Sequence, residues 1–314
     1  MKVLLWQTAY LGDVVLATSL LRILTKRFRK VGFVGRPFIK ELLKGYDVEL
    51  IPFNKGFLES FRIRKTVRSY DAVLSAHRSM RTALILYFSG IPLRVGFDKS
   101  ELAFLYTHTV PHQWGMHEVE RNAQLLKPLG IVPEPEELYP KLFVKEEEVK
   151  NVIEKFRLPE EYVVLSPFSN FSLKEWDIKN WLELAKVIGK KVVVVGTGKD
   201  MERARVFDAC AINLVGKTSL RELMAVISRA RLVISCDSSP VHIANALDVP
   251  AITIYTSTSP IYGFYPLKGA YLTPELACSP CSPNPKRCKT GTYDCVRAVS
   301  VENILSLCQT LITD

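Results

Sequence analysis

The chain has 314 residues, 48% of them hydrophobic and 24% charged, with a formal net charge of +10. That length exceeds what one ordinary core organises and suits two domains, and the composition excludes a disordered or fibrous chain. No apolar run approaches the roughly 20 residues that cross a bilayer: the longest candidate, residues 83–93, is broken by Ser89 and Gly90, and Asp13 stands where a secretory signal would still be apolar, so a cytoplasmic protein is expected.

Short apolar runs alternate with amphipathic stretches, the pattern of βα units on parallel sheets. Residues 2–7 read as a strand and 13–28 as a helix, with Val14, Leu21 and Leu24 at helical spacing. Strands are expected at 31–35, 48–52, 71–75 and 93–97, with helices between them, as at 57–69. The run Ile131-Val132-Pro133-Glu134-Pro135-Glu136-Glu137, rich in proline and acid, reads as the end of a domain, which sets expected domains at 1–145 and 146–314. A second series places strands at 162–166, 191–196, 232–236 and 251–255, with helices near 178–188, 200–210, 220–228 and 240–247. Runs such as Val192-Val193-Val194-Val195 fit strands covered on both faces. Two doubly wound α/β domains with a cleft between them are the economical architecture, and ligands of such sheets sit beyond the carboxyl ends of the strands.

The positive charge is local. Residues 1–81 hold 16 Lys and Arg against 6 Asp and Glu, while 82–314 hold 26 of each. A confined basic excess points to an anionic partner, whether nucleic acid, membrane phosphate or an acidic substrate; a solvated surface is the alternative. No RNA-binding or DNA-reading motif accompanies the charge, so nucleic acid is not expected.

Four segments carry candidate chemistry. After the first strand, Gly12-Asp13 feeds a helix: Asp13 either caps the helix start or offers a carboxylate, kept ionised by the helix dipole, as a proton acceptor. In Ser166-Pro167-Phe168-Ser169-Asn170-Phe171-Ser172-Leu173-Lys174, small polar side chains followed by a lysine suit phosphate oxygens, or form a solvated loop. Val195-Gly196-Thr197-Gly198 lacks the third glycine of a dinucleotide fingerprint and equally suits a tight turn. In Cys236-Asp237-Ser238-Ser239-Pro240-Val241-His242 a strand ends and two serines open a helix whose exposed N–H groups suit an anion. Asp237 is placed to accept from sugar hydroxyls, and His242 either meets a bound phosphate or sugar or fills the satisfied structural role usual for a lone histidine. Cys236 is expected to be a buried thiol. Cys278, Cys281, Cys288 and Cys295, spaced C-x2-C-x6-C-x6-C, fit a structural metal, disulfides or free thiols.

In their shared order, Gly12-Asp13, Lys174-Glu175-Trp176, Val195-Gly196-Thr197-Gly198, Lys217-Thr218-Ser219-Leu220-Arg221-Glu222-Leu223, Asp237-Ser238-Ser239 with His242, and Ser259-Pro260 resemble the ADP-heptose:lipopolysaccharide heptosyltransferases of glycosyltransferase family 9. His117-Glu118-Val119-Glu120-Arg121-Asn122 is similar to the family too, and the cysteine-rich loop resembles its heptosyltransferase II branch. The resemblance implies a GT-B fold of two Rossmann-like domains, the first for the acceptor and the second for ADP-heptose. It implies inverting transfer of heptose to the inner core of lipopolysaccharide, with Kdo-lipid A or heptosyl-Kdo-lipid A as acceptor. Asp13 then corresponds to the catalytic base and Lys174 to a second catalytic group. Ser169, Asn170, Lys174, Thr218, Asp237, Ser238, Ser239 and His242 correspond to donor contacts. Ser239 replaces the usual glycine, so either its φ is negative or the diphosphate is held less closely. Arg62, Arg64, Lys65 and Arg68, with Arg78 and Arg81 near the next strand end, are placed to meet acceptor carboxylates and phosphates. No cofactor is expected to be required, and peripheral attachment to the anionic inner membrane is. The alternatives are a family member with another donor or acceptor, such as heptosyltransferase I or III, and a nucleotide- or glycan-binding protein without catalysis.

Overall fold

Val3, Leu4, Leu5 and Trp6 are all fully buried, because a run apolar at successive positions needs cover on both faces. The strand they form lies at the middle of a sheet. The computed structural model describes residues 1–312, and the chain divides into two units, Met1–Phe143 and Val144–Asp314. The first contains β1 (Lys2–Trp6), α1 (Leu11–Arg27), β2 (Lys30–Gly35), α2 (Ile39–Leu42), β3 (Glu49–Pro52), α3 (Phe57–Val67), β4 (Ala72–Ser75), α4 (Met80–Ser89), β5 (Leu93–Phe97), β6 (His108–Val110) and α5 (Glu118–Gln124). Its strands pair in parallel in the order β3-β2-β1-β4-β5-β6.

The second unit contains α6 (Glu146–Phe156), β7 (Tyr162–Ser166), α7 (Ile178–Val187), β8 (Lys191–Val194), α8 (Met201–Ala204), β9 (Ile212–Asn213), α9 (Leu220–Ser228), β10 (Leu232–Cys236), α10 (Ser239–Ala246), β11 (Ala251–Ile254), β12 (Gly269–Leu272) and α11 (Val301–Ile312). Its parallel order is β12-β11-β10-β7-β8-β9. Both sheets are doubly wound. In each, strand order runs outward from a central pair, β1 beside β4 and β7 beside β10, where the loops leave in opposite directions and open a crevice for ligands.

The cores follow from this layering. Trp6 meets Phe53 edge-on at 5.7 Å in the first unit, and Trp176 meets Trp181 at 5.3 Å in the second. Trp176 Nε1 also donates to the Val299 carbonyl at 2.9 Å, tying the C-terminal segment to the second sheet. The stretch Asp294–Ile312 has the length and apolar content of a membrane span, although polar residues interrupt its apolar run. Within it α11 buries Val301, Ile304 and Cys308 against the second core.

Two departures from the sequence reading have physical causes. β6, β9 and β12 went unread because they are short, half-exposed edge strands without a continuous apolar run. The single helix expected over 200–210 is instead a 3₁₀ turn, the four-residue α8 and a second 3₁₀ turn. Asn213 Nδ2 donates to the Ala204 carbonyl at 2.9 Å and removes the acceptor that the next helical turn would use. The proline- and acid-rich run at Pro133 lies some way before the division between Phe143 and Val144.

Candidate active site

At the crevice of the first sheet, Asp13 is the third residue of α1, and its Oδ2 accepts from the Tyr10 backbone N–H at 3.2 Å. It therefore does satisfy the helix start, reaching back from inside the first turn rather than from the N-cap position. His77 follows β4, next to β1. Its Nδ1 lies 3.2 Å from Thr8 Oγ1, 3.1 Å from Ser79 Oγ and 3.0 Å from Thr82 Oγ1. Burial, reinforced by Lys55, Arg36 and Arg78, pushes its pKa down to about 4, so the ring is neutral at pH 7.

Around it the ends of three neighbouring strands, β2, β3 and β4, deliver cations. Arg36 Nε donates to the Thr8 carbonyl at 3.3 Å, and the Arg81 guanidinium donates to the Lys55 carbonyl. Lys55 holds a left-handed backbone with φ 65°, a conformation that a non-glycine side chain keeps only under constraint. Burial, then repulsion by Arg36 and Arg81, lowers the Lys55 pKa, while Asp13 opposes the shift. Burial likewise lowers that of Arg78, with Asp13 among the carboxylates that counter it. Among the described residues, no carboxylate forms an ion pair with Arg36, Lys55, Arg78 or Arg81. The sequence reading missed Arg36 and Lys55; no local motif marks either. The segment at His117 supports this cluster from below. Arg121 and Glu118 form a buried ion pair at 2.7 Å, and the Trp114 ring carries both Arg121 (5.2 Å) and Arg78 (5.8 Å). Arg62 and Lys65 are exposed on α3, and Arg64 lies over the Phe61 ring at 4.8 Å.

At the crevice of the second sheet, Lys174 Nζ donates to Asp237 Oδ2 at 2.7 Å, with both side chains largely buried. The β7 and β10 loops are thus joined by an ion pair between two residues expected to hold different parts of a donor. Ser238 is the N-cap of α10, and its Oγ lies 3.0 Å from Ser235 Oγ. Ser239 takes the first helical position and is not among the residues with positive φ, so its β-carbon is accommodated by ordinary helical backbone. His242 is buried on the next turn, its ring 6.3 Å from Phe264. Cys236 is buried, with its thiol 3.4 Å from the Phe168 carbonyl, and burial pushes its pKa up to about 12, the state of an inert core thiol.

Next to it, the Ser169 backbone N–H donates to Glu175 Oε1 at 2.9 Å, and Ser169 Oγ accepts from the Phe171 N–H at 3.3 Å. Asn170 Oδ1 accepts from Lys199 Nζ at 2.8 Å, which brings a second cation to this edge that the sequence reading missed. Beyond β8, Gly196 packs where a β-carbon would stand 3.2 Å from Phe168 and Val215, so close side-chain packing and not a positive φ favours glycine there. Gly198 differs in packing: nothing lies within 4 Å of where its β-carbon would be, and like Gly196 it has no positive φ, so the protein itself does not demand glycine there. The Gly216 N–H donates to the Gly196 carbonyl at 3.0 Å, holding the loop of half-buried Thr218 beside that turn. Asp237, Ser238, Lys174, Ser169, Gly198 and Thr218 therefore follow the strand order β10-β7-β8-β9 along one carboxyl edge. A cation beside a helix N-terminus, flanked by small polar groups, can hold a diphosphate there.

The clustered cysteines stand in a loop of turns before α11. All seven cysteines are free thiols, and among the described residues no three His, Cys, Asp or Glu side chains converge as metal ligands. Hydrogen bonding from Thr290 and neighbouring backbone groups pulls the Cys288 thiol down to about 7.

The profile of glycosyltransferase family 9 (heptosyltransferase) matches residues 60–290. Lipopolysaccharide heptosyltransferase 2 of Escherichia coli K12 is 28% identical over 295 residues, covering 83% of this chain and 84% of its own. Lipopolysaccharide heptosyltransferase 1 of Pseudomonas aeruginosa is 26% identical over 250 residues, or 76% and 68% of the two chains. Two solved structures share the fold over nearly the full length of both chains: the E. coli ADP-heptose LPS heptosyltransferase II (TM-score 0.81, 23% identity, coverage 100% and 99%) and a family 9 glycosyltransferase from Veillonella parvula (TM-score 0.82, 20% identity, coverage 99% and 97%). The two doubly wound units are those of a GT-B glycosyltransferase, and the chain is an enzyme that belongs to glycosyltransferase family 9 (heptosyltransferase).

Proposed function

We propose that the enzyme transfers heptose from ADP-heptose, with inversion, to a Kdo-bearing inner-core acceptor of lipopolysaccharide, as a heptosyltransferase of type II. The observation that carries this reading is the row along the second carboxyl edge: a sugar-sized polar end at Asp237 and His242, cations and a helix start at the centre, and an open glycine turn beside Thr218. Heptose, diphosphate and adenosine fit that order. Ser169, Asn170, Ser238 and Ser239 contact the diphosphate, with Lys174 and Lys199 supplying charge. The second unit is the donor domain on this reading and the first the acceptor domain, whose cationic crevice at Arg36, Lys55, Arg78 and Arg81 takes acceptor carboxylates or phosphates.

In the transfer, the acceptor hydroxyl attacks the anomeric carbon while the bond to the diphosphate oxygen breaks on the opposite face. Asp13 takes the hydroxyl proton, and Lys174 with the start of α10 stabilises the charge that grows on the leaving ADP. Those groups give the reaction its positive charge without an obligatory metal. The enzyme works from the cytoplasm, attached peripherally to the anionic inner membrane. ADP release, measured with ADP-heptose and either Kdo-lipid A or heptosyl-Kdo-lipid A, tests the assignment. Type II requires turnover with the heptosylated acceptor only; release with Kdo-lipid A alone reassigns it to type I, and release with neither overturns it.

A further inference from the structure

We propose that the joined outer faces of α3 and α4 form a membrane-docking surface that seats aromatic side chains in the interface of an anionic bilayer. On α4, Met80, Leu84, Tyr87 and Phe88 recur at helical spacing, which places them on one stripe. That stripe faces solvent: they are 51%, 38%, 47% and 61% exposed, while Ala83, Ile85 and Leu86 face the core. The whole helix carries one charged residue, Arg81, although half of its surface is wet. α3 packs against α4 and repeats the pattern, with Phe57 (79% exposed) and Phe61 (48%) on the side away from buried Ile63 and Val67. Arg64 joins the two helices, since its guanidinium lies over both Phe61 (4.8 Å) and Phe88 (5.8 Å). Phe57 meets Phe61 edge-on at 5.1 Å. An exposed apolar patch of this extent calls for a partner.

The charge around it selects the partner. Arg62, Arg64, Lys65 and Arg68 interleave with the aromatics on α3, and the lone acid of that helix, Glu59, is turned inward to cap the Asn54 N–H at 2.8 Å. A two-fold contact with a second copy would bring this basic cluster onto itself. Anionic headgroups match it, and the acyl boundary beneath accepts the rings, as for an interfacial amphipathic helix. Binding then has an electrostatic part and a part that salt does not screen. The inference deepens the membrane attachment of the proposed function, but it does not depend on which sugar is moved.

The test is co-sedimentation with vesicles of phosphatidylethanolamine and phosphatidylglycerol, for the wild-type chain and for F57S/F61S/F88S. Wild-type binding should persist in part at about 1 M salt, where the Debye length is only ~3 Å. The triple variant should lose roughly 100-fold in partitioning, about five-fold for each ring withdrawn from the interface. Its thermal midpoint and its kcat/KM on a soluble heptosyl-Kdo acceptor lacking acyl chains should match wild type, because the three rings are exposed. Unchanged partitioning of a folded variant overturns the proposal. So does a fall in sedimenting mass without a change in vesicle binding, which makes the face a contact between copies. If neither protein transfers heptose yet the vesicle result holds, the docking surface stands and the transferase reading fails.

Discussion

Lys174 and Asp237 provide the most direct handle on the donor site, because replacing either has opposite expected effects on ADP. The pair closes at 2.7 Å with side chains 13% and 12% exposed. In Lys174→Ala, ADP loses one charge-assisted hydrogen bond, worth about 1.5–3 kcal/mol, which is a roughly 10- to 150-fold weaker Kd. The same change leaves Asp237 without its ammonium partner, so the folded state loses about 1–3 kcal/mol, and the thermal midpoint falls by several degrees. In Asp237→Asn, the ammonium no longer has to leave a carboxylate to reach the diphosphate. ADP, which has no heptose to lose, should bind a few-fold more tightly, while turnover of ADP-heptose falls. Isothermal titration with ADP reads both effects directly. If both substitutions move ADP affinity in the same direction, or if folded Lys174→Ala binds ADP as wild type does, then Lys174 does not hold the diphosphate.

Asp13→Asn should reduce turnover about 10²–10⁴-fold with donor affinity kept, since the amide oxygen still accepts from the Tyr10 N–H; near-normal turnover returns Asp13 to a helix cap alone. Burial pulls the His77 pKa down to about 4 from the ordinary 6.5, so the unfolded chain binds the extra proton between those values. Its contribution is fully present above pH 6.5 and is lost as the pH falls toward 4, by up to about 3 kcal/mol. Urea midpoints across that range should decline less for His77→Asn, and an equal decline refutes the assignment. Cys288, held near 7 chiefly by Thr290, should alkylate with a half-maximal rate near neutral pH, shifted upward in Thr290→Val; identical profiles in the two proteins remove the hydrogen bond as the cause.

How much of this is readable in the sequence depends on where the information is stored. The strands read correctly are chiefly those with long apolar runs, such as β8 within Val192-Val193-Val194-Val195, where burial on both faces writes the strand into the chain. Three of the four edge strands were missed because His108-Thr109-Val110 and Ile212-Asn213 owe their state to a neighbour's hydrogen bonds and not to their own side chains. The donor edge was legible for a similar reason. Ser169 to Lys174 and Asp237 to His242 are contiguous motifs, each set by a single strand-to-helix turn. The cationic crevice was legible only in part. Arg36, Lys55, Arg78 and Arg81 come from three separate strand-end loops; Arg78 and Arg81 were marked by the strand end before them, whereas Arg36 and Lys55 each read as a surface charge, visible only through the basic excess of residues 1–81.

The two crevices share a topology yet rest in different electrostatic states, and that difference bears on the proposed reaction. The first gathers four cations that no carboxylate pairs at contact distance among the described residues, with burial pulling Lys55 and Arg78 toward their neutral forms. Such a cluster is stabilised by any anion that enters, so it favours a ligand that carries charge whatever its shape. The second keeps Lys174 neutralised by Asp237. A diphosphate there must exchange one anionic partner of the ammonium for another, and the exchange releases Asp237 beside Ser238 and the start of α10, where the heptose hydroxyls lie on the proposed reading. Diphosphate binding then prepares the sugar contact: ADP-heptose gains what Asp237 offers the sugar, whereas ADP alone takes over the ammonium and leaves Asp237 without a new partner. The donor should therefore bind more tightly than ADP in the wild-type chain, and Asp237→Asn should erase that preference. A preference that survives Asp237→Asn would place the sugar contact on another residue.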